Sequence, residues 1–252
     1  MPFADGRSIA AKRFRVAQEQ TKPQMAKAMI QRAQRGGIEA QYLLADAWFG
    51  TKSMIKTAHD ALLTPIVRMK KNKMKYRLSQ FKDGKVVCRD MDADSLFQSN
   101  VRGQWENIVG QPYQSRTLDV ERNLNDTQDK TERWVKVRLL FVRGIAEANK
   151  AQPGKHDWTI FLTTDVSFSL GRILELYAMF WAIEVYFKEA KQHLGFLKEQ
   201  TRHYASYIAS IHLTAIRFCL LSIAKHQHNA STSPRTSATS TMRHVYGNAF
   251  AH

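Results

Sequence analysis

The hydrophobic period of this chain changes twice along its length, and that alternation limits the fold more than any other feature. From Thr21 to Arg35 the apolar residues Met25, Ala28, Met29 and Ala33 recur at helical spacing behind a Thr cap and an early proline, and Gly36-Gly37 ends the run. A short apolar strand follows at about Gln41 to Ala45 and leads into Asp46, Trp48 and Phe49; a second helix over TKSMIKTAHDALL stops before Thr64-Pro65. Between Pro65 and Asp90 basic and apolar residues alternate, with Asp83-Gly84 as a two-residue hairpin signal. A polar, less regular run extends to about Thr131. After it RWVKVRLLFVRG and DWTIFLTTD read as strands, joined by a turn over 149–157. Past Asp165 the period is helical again, with one long amphipathic helix from about Leu170 to His193 and a core helix over 204–224. This order is that of an α/β domain interrupted by a β-rich insertion.

Charge narrows the partners. Lys and Arg number 38 against 22 Asp and Glu, a net +16, which favours a polyanion and above all nucleic acid. Eight of the cations, Arg68, Lys70, Lys71, Lys73, Lys75, Arg77, Lys82 and Lys85, crowd one ribbon that holds a single acid, Asp83. Such a run is read either as a track for phosphates or as a solvated, lysine-rich sheet edge that resists aggregation. Cys88 and Cys219 lie far apart without metal-ligand spacing, and the first residues lack a signal-peptide core, so a cytoplasmic location is expected. His212 and Arg217 interrupt 204–224, which argues against a membrane partner. Residues 229–252 are rich in Ser and Thr and too polar to order themselves.

Chemistry concentrates on the long helix. At about 100° per residue Tyr177, Phe180, Glu184 and Lys191 fall within roughly 60° of one another, one stripe about 21 Å long. Glu184 stands among Phe180, Trp181, Ile183, Val185, Tyr186 and Phe187, where an ionised carboxylate is costly unless it is paired or bound to a cation. Two readings stay open on the residues alone: a helix-surface pair with Lys188, or a metal or acid/base role.

YAMFWAIEVYFKEAKQHLGF resembles the C-terminal signature of bacterial insertion-sequence transposases of the DDE class, the family-four subgroup marked by Tyr, Arg, Glu and Lys at fixed spacing. Tyr177, Glu184 and Lys191 fall on that spacing. YLLADAWFG resembles the segment with the second catalytic Asp, and FLTTDVSFSLGRILELY the strand and helix start before the Glu helix; the likeness covers roughly residues 1 to 225. It implies an RNase H-like α/β core, partial here, over 1–65 and 158–228, interrupted by a β-rich insertion over 66–157 and followed by long C-terminal helices and the 229–252 tail. It also implies two Mg²⁺ (or Mn²⁺) ions held by two Asp and one Glu, with Asp46 and Glu184 as metal ligands and catalytic residues in an in-line phosphoryl displacement. Tyr177 and Lys191 would touch phosphates near the transposon end. Lys70, Lys71, Lys73 and Lys75 are the DNA-binding candidates of the basic ribbon, and the partner is double-stranded DNA, both terminal inverted repeats and target.

Two positions depart from the pattern. The first catalytic Asp belongs on an earlier strand than the residues before Asp46 supply, and Asp5 follows no strand-like run, so an N-terminally truncated transposase is expected. Phe180 replaces the signature Arg and makes no bidentate phosphate contact. The alternatives are a non-catalytic basic nucleic-acid-binding protein derived from a transposase and a structural or interaction protein using 204–224 as an oligomer interface; a second copy of the chain, in a homodimer, is a further candidate partner.

Overall fold

The computed structural model describes residues 7–99, 104–125, 131–148, 154, 156–201 and 203–232. The expected tail lies, from residue 233 on, outside them.

The elements run α1 (Ile9–Glu19), α2 (Lys22–Arg35), β1 (Tyr42–Ala45), α3 (Lys52–Asp60), β2 (Thr64–Arg68), β3 (Tyr76–Lys82), β4 (Lys85–Met91), α4 (Ala93–Gln98), β5 (Glu106–Asn107), β6 (Tyr113–Asn123), β7 (Trp134–Gly144), α5 (Ile145–Ala148), β8 (Trp158–Thr163), α6 (Leu170–Ala178), α7 (Trp181–His193) and α8 (Tyr204–Thr232). Eight strands form one sheet in the order β1-β2-β8-β7-β6-β3-β4, with β5 on β6. Only β1 and β2 are parallel, Tyr42 facing Thr64 and Ala45 facing Val67; the other pairings are antiparallel. The protein is thus a mixed α/β fold, consistent with the RNase H-like core that the resemblance implies.

Local chemistry explains most of these elements. Gln24 Oε1 accepts from Thr21 N–H at 2.8 Å and opens α2, while Gly37, at φ 75°, closes it. Asp83 and Gly84 both take positive φ, 51° and 74°, as a type I′ hairpin turn requires. β8 is buried along its whole length, which is why TIFLT carries no polar alternation of charge. Strand β6 lies in the run the sequence presents as irregular. Its core-facing positions are Arg116, Leu118 and Val120, with Ser115 buried on the other face, so the apolar alternation is too thin to read.

The described residues divide into two compact units. The larger spans Ala26–Met179; the smaller joins the residues up to Met25 with those from Phe180 on. This division differs from the sequence segments 1–65, 66–157 and 158–228, since β6 and β7 of the middle segment are in one sheet with β1, β2 and β8. In the larger unit one core face gathers Ile55, Tyr76, Leu78, Leu96, Leu118, Val137, Phe141 and Ile160, with Phe97 stacked on Trp158 at 4.2 Å. In the smaller unit Phe14 meets Tyr204 edge-on at 5.3 Å, and Tyr186 meets Phe218 at 5.0 Å.

Two helical expectations are corrected. The single helix Leu170–His193 is two, because the ladder breaks at Met179 and Phe180. Both residues keep right-handed helical dihedrals, but Met179 N–H turns to Leu176 O and Ile183 N–H to Phe180 O, each three residues back at 3.1 Å. Each helix follows its own unit: α6 buries Ile173, Leu174, Leu176 and Tyr177, whereas α7 buries only Ala190. Helix α8 is not a core helix. Leu213, Ile216, Leu220, Leu221 and Ile223 are all more than half exposed, because α1 and α7 cover one side of a helix that is apolar on several. By length and composition α8 could cross a membrane, which is weak support for such a role in one helix.

Candidate active site

Strand β1 ends at Asp46, and the chain turns at once. Asp46 Oδ1 accepts from the backbone N–H of Trp48 at 2.9 Å and of Phe49 at 3.3 Å, and its carbonyl accepts from Phe49 N–H at 3.1 Å. A side chain bonding its own backbone two residues on is what an Asp contributes to a tight turn. Thr51 then caps α3 by accepting from Met54 N–H at 3.3 Å. Because β1 and β2 are parallel, this turn meets the end of β2. Gly50 lies so close to it that a Cβ there would be 2.6 Å from Arg68 O and 3.2 Å from Met69 Cα. The close approach explains the glycine in AWFGT. Gly50→Ala is expected to destabilise the larger unit by about 1–3 kcal/mol, read as a lower urea midpoint, since backbone and not a flexible side chain must yield.

The end of β2 also delivers Lys70, whose ammonium lies 4.4 Å from the centre of the exposed Trp48 ring. The structure therefore brings Asp46, Trp48 and Lys70 together at one turn. The other ribbon lysines part ways. Lys71 lies 4.1 Å over the Trp158 ring and donates to Trp158 O, so it fastens the loop to β8. Lys75 pairs with Asp92 at 2.9 Å. Asp92 accepts from Ser95 Oγ and N–H to cap α4, and Ser95 first, then Lys75, holds its carboxyl well below the usual range. Lys73 is exposed and makes no ion pair among the described residues. Of the four lysines expected on DNA, two are thus engaged in holding the fold.

Tyr177 ends α6 with its ring buried, edge-on to Phe161 at 4.7 Å. Glu184 and Lys191 are both exposed on α7, seven residues and two turns apart, hence on one face of that helix. The four-residue stripe is therefore one residue on α6, Phe180 at the break, and a pair on α7. Apolar neighbours do not bury Glu184: Ile183, Val185 and Phe187 are 47%, 38% and 41% exposed. The desolvation reading of this carboxylate is corrected accordingly, and among the described residues it makes no ion pair with Lys188. Asp46 belongs to the larger unit and Glu184 to the smaller. Among the described residues no group of three or more His, Cys, Asp or Glu side chains is placed to hold a metal ion.

The pairing of Trp48 with Lys70 had no distinct sequence signal beyond their proximity to Asp46 and the basic run. Compared with known proteins, the chain matches a family model described as Transposase DDE domain over residues 4–220. No curated protein matches it.

Proposed function

The chain belongs to the transposase DDE-domain family, and from that premise we propose that it acts in DNA transposition of an insertion sequence, binding double-stranded DNA at terminal inverted repeats and target. Members of this family typically work with divalent metal ions. Asp46 and Glu184 are the carboxylates we assign to Mg²⁺ or Mn²⁺, as hard oxygen donors suited to both. When bound, a pair of such ions would supply activation of the attacking oxygen and stabilisation of the leaving oxygen.

The donor set is incomplete as a cage for two ions. Asp46 already accepts at Oδ1 from two backbone N–H groups, and among the described residues no group of three or more His, Cys, Asp or Glu side chains includes it. The chain by itself accordingly binds DNA and cuts it weakly or not at all, with metal-dependent strand cleavage and transfer as the chemistry of the intact family site. Lys70, exposed beside the Asp46 turn, Lys73, exposed three residues further along the chain, and Lys191, on the Glu184 face, contact phosphates in this reading; Lys71, Lys75 and Tyr177 support them from structural positions. Such a protein works where the bacterial chromosome is.

The observation that carries the proposal is the family match across residues 4–220 on a chain of net charge +16. Its test is incubation of the purified chain with Mg²⁺ or Mn²⁺ and a labelled transposon-end duplex. The expected result is a retarded complex with little nicking. Robust nicking abolished by Asp46→Ala would show a complete site, and absence of any complex would remove the DNA reading itself.

A further inference from the structure

The β3–β4 hairpin is built differently from the rest of the sheet. β3 meets β6 only at Arg77↔Glu121, and beyond that point the two strands continue as a free ribbon to the Asp83-Gly84 turn. Past Leu78, which is still buried, four residues, Ser79 to Lys82, make a projection of about 13 Å. β4 is the outermost strand, and its residues from Lys85 to Asp90 are exposed.

The pairing register sorts the side chains. One face carries Tyr76/Met91, Leu78/Arg89, Gln80/Val87 and Lys82/Lys85; the other carries Arg77/Asp90, Ser79/Cys88 and Phe81/Val86. On the first face Tyr76 and Leu78 are buried in the core, and past them the row ends in Lys82 and Lys85, with Arg89 opposite Leu78. Among the described residues these three cations make no ion pair. On the second face the one cation is neutralised: Arg77 is bidentate to Asp90 at 2.9 and 3.2 Å and stacks on Trp134 at 3.6 Å. Beyond it comes an uncovered apolar pair, Phe81 at 70% and Val86 at 66% exposure. A solvated sheet edge needs charge but gains nothing from an exposed Phe–Val pair beside it, so charge screening alone does not explain the tip.

We propose that this ribbon is a duplex-DNA element that enters the major groove, with Lys82, Lys85 and Arg89 on backbone phosphates and Phe81–Val86 against the base edges. Two strands about 4.8 Å apart, with their side chains, suit a groove about 12 Å wide and not one of about 6 Å. The inference rests on the DNA reading above, and it moves the main contact from the lysines before Tyr76 to the tip of the hairpin.

The test is equilibrium binding of the complete chain to one fluorescent duplex over a KCl series, comparing the wild type with Lys82→Ala/Lys85→Ala/Arg89→Ala and with Phe81→Ser. All four positions are exposed, and circular dichroism melts check that the fold is kept. The triple variant is expected to flatten the slope of log K against log [KCl] by about 2–3 and to weaken binding about 10- to 100-fold at moderate salt. Phe81→Ser is expected to weaken binding about 3- to 10-fold with an unchanged slope, because it removes an apolar contact and no counterion release. Methyl green, a major-groove ligand, should erase the difference between wild type and triple variant, whereas distamycin in the minor groove should leave it. Unaltered binding by both variants beside a wild type that binds overturns the ribbon assignment alone. A wild type that binds no duplex overturns the DNA reading with it. Unaltered DNA binding with self-association lost in Phe81→Ser would make the tip a protein interface and would likewise overturn the assignment.

Discussion

Replacing Arg116 by methionine is expected to destabilise the larger unit by about 3–5 kcal/mol, although the stem of methionine fills much of the same space. Arg116 is buried, at 5% exposure, and its guanidinium serves the end of α4: Nη1 donates to Ser99 O at 2.8 Å, and Nη2 to Leu96 O at 2.7 Å and Phe97 O at 2.9 Å. Trp105 and Phe141 face it at 5.2 and 5.5 Å. Burial, and then Arg143, lowers its pKa from the usual arginine value, and among the described residues no carboxylate pairs with it. Removal of the fork takes a charged donor from three carbonyls, of which Leu96 O keeps only the Ser99 hydroxyl at 2.7 Å, and a charged donor is worth more than a neutral one. Lysine keeps the charge but not the fork, so Arg116→Lys should lose about 2 kcal/mol. Urea unfolding followed by tryptophan fluorescence reads the effect, since four of the five tryptophans stand between residues 48 and 158. A loss below about 1 kcal/mol for Arg116→Met would mean that the capping bonds carry little of the stability.

The same arginine shows why part of the fold was not legible in the sequence. A basic residue at an inward position of β6 looks polar and loop-like until the α4 carbonyls that it serves are known. Where the determinant is local, reading works: Asp83-Gly84 turns the hairpin, Gly37 ends α2, and the apolar run before Asp46 is β1. Where it depends on what packs against an element, reading fails. The break at Met179-Phe180 contains neither glycine nor proline and arises as α6 and α7 take part in different units. Apolar neighbours of Glu184 suggested burial, but exposure depends on coverage that α7 does not receive. The turn that carries Asp46 was legible from strand and motif together; the engagement of Lys71 and Lys75 with Trp158 and Asp92 was not, because those partners are distant in sequence.

The second large effect is that of salt on DNA binding. Lys70 beside the Asp46 turn, Lys73 in the loop after it, Lys82, Lys85 and Arg89 on the ribbon, and Lys191 on α7 are all exposed. If each displaces a counterion from a phosphate, log K falls with log [KCl] with a slope of about −5, and affinity drops about 10³-fold between about 50 and 200 mM KCl. Lys71, Lys75 and Arg77 should add little to that slope, since their charges already serve Trp158, Asp92 and Asp90. The carboxylates should add nothing favourable: Asp46→Ala and Glu184→Ala remove negative charge and are expected to bind at least as tightly as the wild type in the absence of divalent ions.

DNA binding through exposed cations is tested most directly by the KCl dependence of duplex binding by the 252-residue chain, with Asp46→Ala beside it and no divalent ion present. A slope of about −5 is expected for both proteins, with the Asp46→Ala affinity equal to or above that of the wild type. A slope shallower than about −2, or a wild type that holds DNA only through Asp46, would contradict that expectation.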